Sequence, residues 1–160
     1  MDLARAVRYV RSYAEDLGID KNNIAVIGFS AGGILCSELL LNFGGLVNGT
    51  SIDENYISDE LDKVSADASA VSMIYSFYGS LGVVSTDIEK FKASDLPPTY
   101  FLYGSEEIFR SQIEACADSV KQAGVPVESQ ILDGLQHGFG ARGDWFKGFD
   151  KWLREVFSRA

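Results

Sequence analysis

The sequence predicts an α/β fold of about four parallel strands in one sheet, with helices on both faces as a three-layer sandwich. Three observations carry this reading. Four short apolar runs, residues 24–27, 70–75, 99–103 and 127–132, have the length and β-branched or aromatic content of strands. Segments with apolar residues at helical spacing lie between and around them. The two kinds of signal alternate along most of the chain, as crossover connections between parallel strands require.

The elements follow in order. Leu3, Val7, Val10, Ala14 and Leu17 recur at helical spacing, with Arg5, Arg8, Arg11 and Glu15 between them and Gly18 as a stop, so one amphipathic helix is expected. Turn residues Asp20 to Asn23 lead into Ile24-Ala25-Val26-Ile27, an unbroken apolar run that reads as an interior strand covered on both faces. A second helix is expected from Ala31 to about Phe43, closed by Gly44-Gly45. Residues 44 to about 68 look irregular. Their acidic stretch from Asp53 to Asp62 reads as a short helix or flap with a solvated face and not as a metal site, since it holds no His or Cys.

Ala70 to Tyr75, Thr99 to Tyr103 and Val127 to Leu132 are the remaining strands, the second of them set off by Pro97-Pro98. Phe109, Ile113, Cys116 and Val120 mark a helix closed by Gly124 and Pro126; Trp145, Phe149, Trp152 and Val156 mark the last. Ligand sites of such sheets lie beyond the carboxyl ends of the strands.

Composition narrows the function classes. A length of 160 residues suits one domain over 1–160, and 46% hydrophobic with 23% charged residues is the balance of a chain that folds. A formal net charge of −9 argues against nucleic acid and anionic membrane surfaces as partners. No apolar run reaches the roughly 18 residues of a spanning helix, and the first residues lack a basic stretch followed by an apolar core, which reads as a soluble, cytoplasmic chain. Cys36 and Cys116 sit at apolar helical positions and read as buried thiols. Asn48-Gly49-Thr50 and Arg142-Gly143-Asp144 read as a turn and a helix start. No metal cluster, phosphate loop or redox motif is present, so no cofactor is expected.

The chemistry gathers around Gly28-Phe29-Ser30-Ala31-Gly32, a G-x-S-x-G directly after a predicted strand and before a predicted helix. A turn that sharp forces the serine into a strained backbone conformation, and Gly28, Gly32 and Gly33 supply positions where a side chain would collide. Ser30 is the candidate nucleophile, and the N–H of Ala31 at the helix start is a candidate oxyanion donor. A serine hydroxyl needs a base. His137, the only histidine, lies in a glycine-rich loop after the last strand, on the same sheet edge as Ser30. An acid to orient it should follow the preceding strand, where Tyr103-Gly104-Ser105-Glu106-Glu107 offers Glu107, with Glu106 as the alternative. Phe29, Tyr78 and Phe139 are aromatic candidates for lining the site, although ordinary core packing is the commoner role for such residues.

These residues together resemble the carbohydrate esterase and acetyl (xylan) esterase branch of the α/β hydrolases. The likeness rests on residues 6–10 and 28–33, Asp62 to Asp67, Pro97-Pro98-Thr99, Gly104 to Glu107 and Gln136-His137-Gly138-Phe139-Gly140. It implies a Ser30, His137 and Glu107 triad, a short acyl ester of a small molecule or carbohydrate as substrate, and an acyl-enzyme. In that family the acid is usually Asp, so a Glu at 107 is a departure. Family members also carry further strands before the first helix seen here, with a His-Gly-Gly loop giving a second oxyanion donor. The expectation is therefore a truncated or minimal α/β-hydrolase fold, with residues 24–27 as an exposed edge and a second copy covering it. Peptidases and thioesterases use the same triad, and a non-catalytic binding or dimerisation domain is the reading from another class.

Overall fold

The computed structural model describes residues 1–159. Four parallel strands form one sheet in the order β1 (Ala25–Phe29), β2 (Ala70–Ile74), β5 (Thr99–Gly104), β6 (Val127–Leu132). Ala25 stands opposite Ala70, Val71 opposite Thr99, and Thr99 opposite Val127, so the strands are nearly in step. A two-stranded antiparallel hairpin, β3 (Gly79–Ser80) with β4 (Val83–Val84), lies apart from the sheet. The helices are α1 (Asp2–Ser12), α2 (Ala14–Leu17), α3 (Ala31–Asn42), α4 (Ile88–Ala93), α5 (Arg110–Gln122) and α6 (Phe146–Phe157). No helix among the described residues is long and apolar enough to cross a membrane.

Side-chain alternation along the strands builds two cores. Val71, Met73, Phe101 and Tyr103 pack with Val7 of α1, Leu39 of α3 and Ile113 of α5 on one face. Ile74, Tyr100 and Leu102 pack on the other with Phe139, Trp145, Phe149 and Trp152 under α6. β2 and β5 are buried along their whole length.

Residues 24–27 lie in the exposed edge strand that the resemblance implied and not in the interior strand that the apolar run by itself suggests: among the described residues β1 pairs with β2 alone, and Ile27 and Phe29 are 44% and 39% exposed. An apolar run signals a preference for cover, and α6 packs only over the Tyr100 and Ile74 side of its face, so the outward side chains of β1 stay uncovered.

The amphipathic reading of the first helix also needs correction at two places. The helix breaks at Tyr13 (φ −103°, ψ 19°), and α2 ends on Gly18 in the left-handed region. Arg8 does not face solvent: it is 1% exposed, donating from Nε to the Val64 carbonyl at 2.9 Å and from Nη2 to the carbonyls of Gly45 (3.2 Å) and Val47 (2.6 Å). Its Nη1 lies 3.5 Å from Asp62, a buried carboxylate that also accepts from the Tyr56 hydroxyl at 2.9 Å. The acidic stretch is thus solvated only up to its end. Residues 44–68 hold two short 3-10 turns, Gly49–Ser51 and Glu60–Lys63, and the arginines of α1 stitch this loop to the helix. Asn48 caps the first of these turns through the Thr50 N–H, so the Asn-Gly-Thr tripeptide is a turn, as expected.

Candidate active site

Ser30 is the single residue between the end of β1 and the start of α3. Its φ of 51° and ψ of −120° lie where residues with a side chain rarely rest. Two hydrogen bonds hold it there: its N–H donates to the Ile74 carbonyl at 2.9 Å, and its carbonyl accepts from the Gly33 N–H at 2.9 Å. A Cβ at Gly28 would overlap the backbone of Gly32 and Gly33, and one at Gly33 would overlap the Ser76 side chain, whereas one at Gly32 would meet open space. The steric demand of the turn therefore falls on Gly28 and Gly33. Gly32, expected to share it, does not. Ala31 opens α3, so its N–H has no acceptor within the helix and points from the positive end of the helix dipole.

The other site residues emerge from the same end of the sheet. Glu107 follows β5 and His137 follows β6, and the two loops are tied before either side chain arrives. The N–H of Ser105 donates to the Leu132 carbonyl at 2.9 Å, that of Glu106 to the Leu135 carbonyl at 3.1 Å, and that of Gly134 to Ser105 Oγ at 2.8 Å. Gly104 permits this closeness, since a Cβ there would overlap the Leu135 carbonyl.

His137 Nε2 stands 2.8 Å from Ser30 Oγ, and His137 Nδ1 stands 2.8 Å from Glu107 Oε1. The Glu107 carboxylate, with no exposed side-chain surface, also accepts the Phe109 N–H at 3.1 Å through that same oxygen. A carboxylate accepting at Nδ1 fixes the tautomer that leaves Nε2 free to accept the serine proton. Glu106, the alternative acid, is exposed and accepts instead from Gln136 Nε2 at 3.2 Å.

Tyr75 directly follows β2 with a φ of 39°, and its ring meets the imidazole of His137 edge-on at 4.9 Å between centroids. Phe109 meets the other side at 5.6 Å. A cavity of about 50 Å³ opens at Ser30 between Ile34, Tyr75, Phe77, Leu81 and Phe109. Of the aromatic candidates, Phe29 lies half-exposed against Tyr75 and Trp145, outside this cavity. Phe139 is buried behind Tyr75, and Tyr78 is buried beside Phe91, so both belong to the core. The sequence reading places Tyr75 at a strand end and Phe109 in a helix, and none of Tyr75, Phe109 and Leu81 is read from it as a site residue; the rule that sites collect at strand carboxyl ends points to Tyr75 and to no particular residue of the hairpin. Among the described residues, no group of three or more His, Cys, Asp or Glu is placed to hold a metal ion.

The BD-FAE family model matches residues 1–120. No curated protein matches the sequence. Among solved structures, an acetyl ester-xyloside bifunctional hydrolase from Caldicellulosiruptor lactoaceticus is 27% identical with a TM-score of 0.72, over 97% of this chain and 64% of its own. A thermophilic esterase from the planctomycete Thermogutta terrifontis, solved with butyrate bound, is 24% identical with a TM-score of 0.68, over 97% of this chain and 64% of its own. A truncated carbohydrate esterase from gut microbiota is 20% identical with a TM-score of 0.71, over 97% of this chain and 67% of its own. This chain thus spans under two thirds of the length of the first two.

Proposed function

The chain belongs to the BD-FAE family, of α/β-hydrolase type, and from that membership we propose that it is a serine carboxylesterase cleaving short acyl esters of small molecules or carbohydrates. The observation that carries the proposal is the unbroken relay from Ser30 through His137 to Glu107, with both links at 2.8 Å.

In the proposed reaction His137 Nε2 takes the Ser30 proton as Oγ bonds to the ester carbonyl carbon. The Ala31 N–H donates to the oxyanion that forms. His137 then returns the proton to the departing alcohol oxygen as the C–O bond breaks, leaving an acyl group on Ser30. Water repeats the sequence, its proton passing to His137 and its oxygen to the acyl carbon, and the acid leaves with Ser30 restored. Glu107 accepts from His137 Nδ1 and stabilises the transient imidazolium. An oxyanion ordinarily takes two donors, and the absence of one costs roughly a hundredfold to a thousandfold in rate. Slow turnover is therefore expected where Ala31 acts unaided. Acetyl as the acyl group and a sugar as the alcohol accord with the names borne by the structural neighbours.

Hydrolysis of p-nitrophenyl acetate by wild type, Ser30→Ala and His137→Ala tests the proposal, with circular dichroism to establish folding. Turnover lost in both variants is the expected result. Turnover equal in wild type and Ser30→Ala, or absent from folded wild type, excludes it and favours a non-catalytic binding domain.

A further inference from the structure

We propose that Leu81, at the tip of the β3–β4 hairpin, is the wall that fixes how long an acyl chain Ser30 accepts; the inference rests on the esterase reading above. The cavity at Ser30 holds only about 50 Å³, and its apolar walls come from α3 (Ile34), the residues after β2 (Tyr75, Phe77), the acid loop (Phe109) and the hairpin tip (Leu81). The same cavity touches Ser30, Ala31, whose N–H is the proposed oxyanion donor, and His137, so a group lying in it is attached to the carbonyl carbon, and about 50 Å³ suits a short acyl chain and not a sugar. That makes it the acyl group.

Four of these walls belong to packed elements, and Leu81 alone is a protruding side chain, 78% exposed. Its position is nevertheless fixed. Ser37 of α3, fully buried, donates from Oγ to the Gly79 carbonyl at 3.1 Å and accepts the Gly79 N–H at 2.9 Å, clamping the hairpin root to the helix that starts at the nucleophile. The Ser85 N–H closes the base on the Tyr78 carbonyl at 2.7 Å. Gly79 has a φ of 141° and no room for a Cβ beside Val83, and Gly82, with a φ of 77°, completes the reversal. So constrained a turn fixes where the Leu81 side chain leaves the backbone, at the mouth of the cavity, and an exposed side chain is shortened or lengthened by mutation without disturbing the core.

The test measures kcat/KM of wild type, Leu81→Ala and Leu81→Phe on p-nitrophenyl acetate, butyrate and hexanoate, and on acetates of ethanol and 1-naphthol. A methylene in an apolar pocket discriminates by about tenfold or more. The butyrate-to-acetate ratio should therefore rise about tenfold or more in Leu81→Ala and fall in Leu81→Phe, while the order among acetates of different alcohols stays the same. Such ratios do not depend on the folded fraction. An unchanged ratio in both variants, or a change that follows the alcohol instead of the acyl group, overturns the assignment and leaves the esterase reading intact. A wild type that neither turns over these esters nor is labelled at Ser30 by a fluorophosphonate overturns both.

Discussion

Glu107 meets His137 through one carboxylate oxygen: Oε1 lies 2.8 Å from Nδ1, while Oε2 is buried without a hydrogen-bond partner among the described residues. A buried oxygen left unpaired is costly, and the cost is offset when the neighbouring imidazole becomes positive. In the proposed reaction the carboxylate faces the imidazolium that forms transiently as Ser30 attacks. Glu107→Gln removes that charge and lets the amide N–H₂ stabilise the wrong tautomer, so kcat should fall by roughly 10³–10⁴. Glu106→Gln, at the exposed neighbour bonded to Gln136, should change kcat little. Steady-state kinetics on the two variants decide between the acids; a larger loss in Glu106→Gln would reverse the assignment.

The strained turn predicts opposite signs at neighbouring positions. Ser30→Gly relieves a backbone conformation that costs about 1–3 kcal/mol, so the variant should be inactive yet melt higher than wild type, by about 2–4 °C per kcal/mol. Gly32→Ala fills open space inside α3 and should stabilise by about 0.5–1 kcal/mol. Gly28→Ala drives a methyl into the backbone of Gly32 and Gly33 and should destabilise by about 1–3 kcal/mol or more. Thermal melts of the three variants measure all three signs.

The sheet was legible because each strand is bounded by glycine, proline or turn residues, and Ser30, His137 and Glu107 were legible because the elbow motif fixes their order along the chain. Two things were not. The β3–β4 hairpin has two-residue strands, too short for a periodic signal, and with it Leu81 escaped notice. The burial of Arg8 is invisible to helical spacing, which marks an arginine as solvated and says nothing of carbonyls converging on it from residues 45, 47 and 64. Arg8→Met leaves Asp62 and those carbonyls buried without the guanidinium, so unfolding free energy should drop by about 3–5 kcal/mol. Urea denaturation reads the change; a loss below about 1 kcal/mol would mean that Arg8 contributes no more than a surface ion pair.

Both thiols should be inert in the native protein. Burial disfavours the thiolate, raising Cys36 to about 11 and Cys116 to about 12. The reactive species is the thiolate, so at pH 8 both groups are protonated and shielded as well. Ellman's reagent should therefore find almost no thiol in the native state and two per chain after denaturation. Rapid labelling of the native protein at pH 8 would show that α3 or α5 opens more readily than the packed core implies.

The uncovered side of β1 predicts self-association. Its outer edge presents unpaired backbone N–H and C=O groups, and Ile27 with Leu35 of α3 exposes apolar surface along a groove of about 400 Å³ that also takes in Leu3 and Val10. Apolar edges of this kind recruit another strand. A second copy suits the position, because antiparallel pairing of β1 with its own twin is self-complementary about a two-fold axis and covers both edges at once. At micromolar concentration the chain should sediment as a dimer. Ile27→Lys sets two like charges near that axis and keeps the residue on a face already open to water, so it should give a folded monomer. A wild type that sediments as a strict monomer, or an Ile27→Lys variant that stays dimeric, removes β1 as the interface.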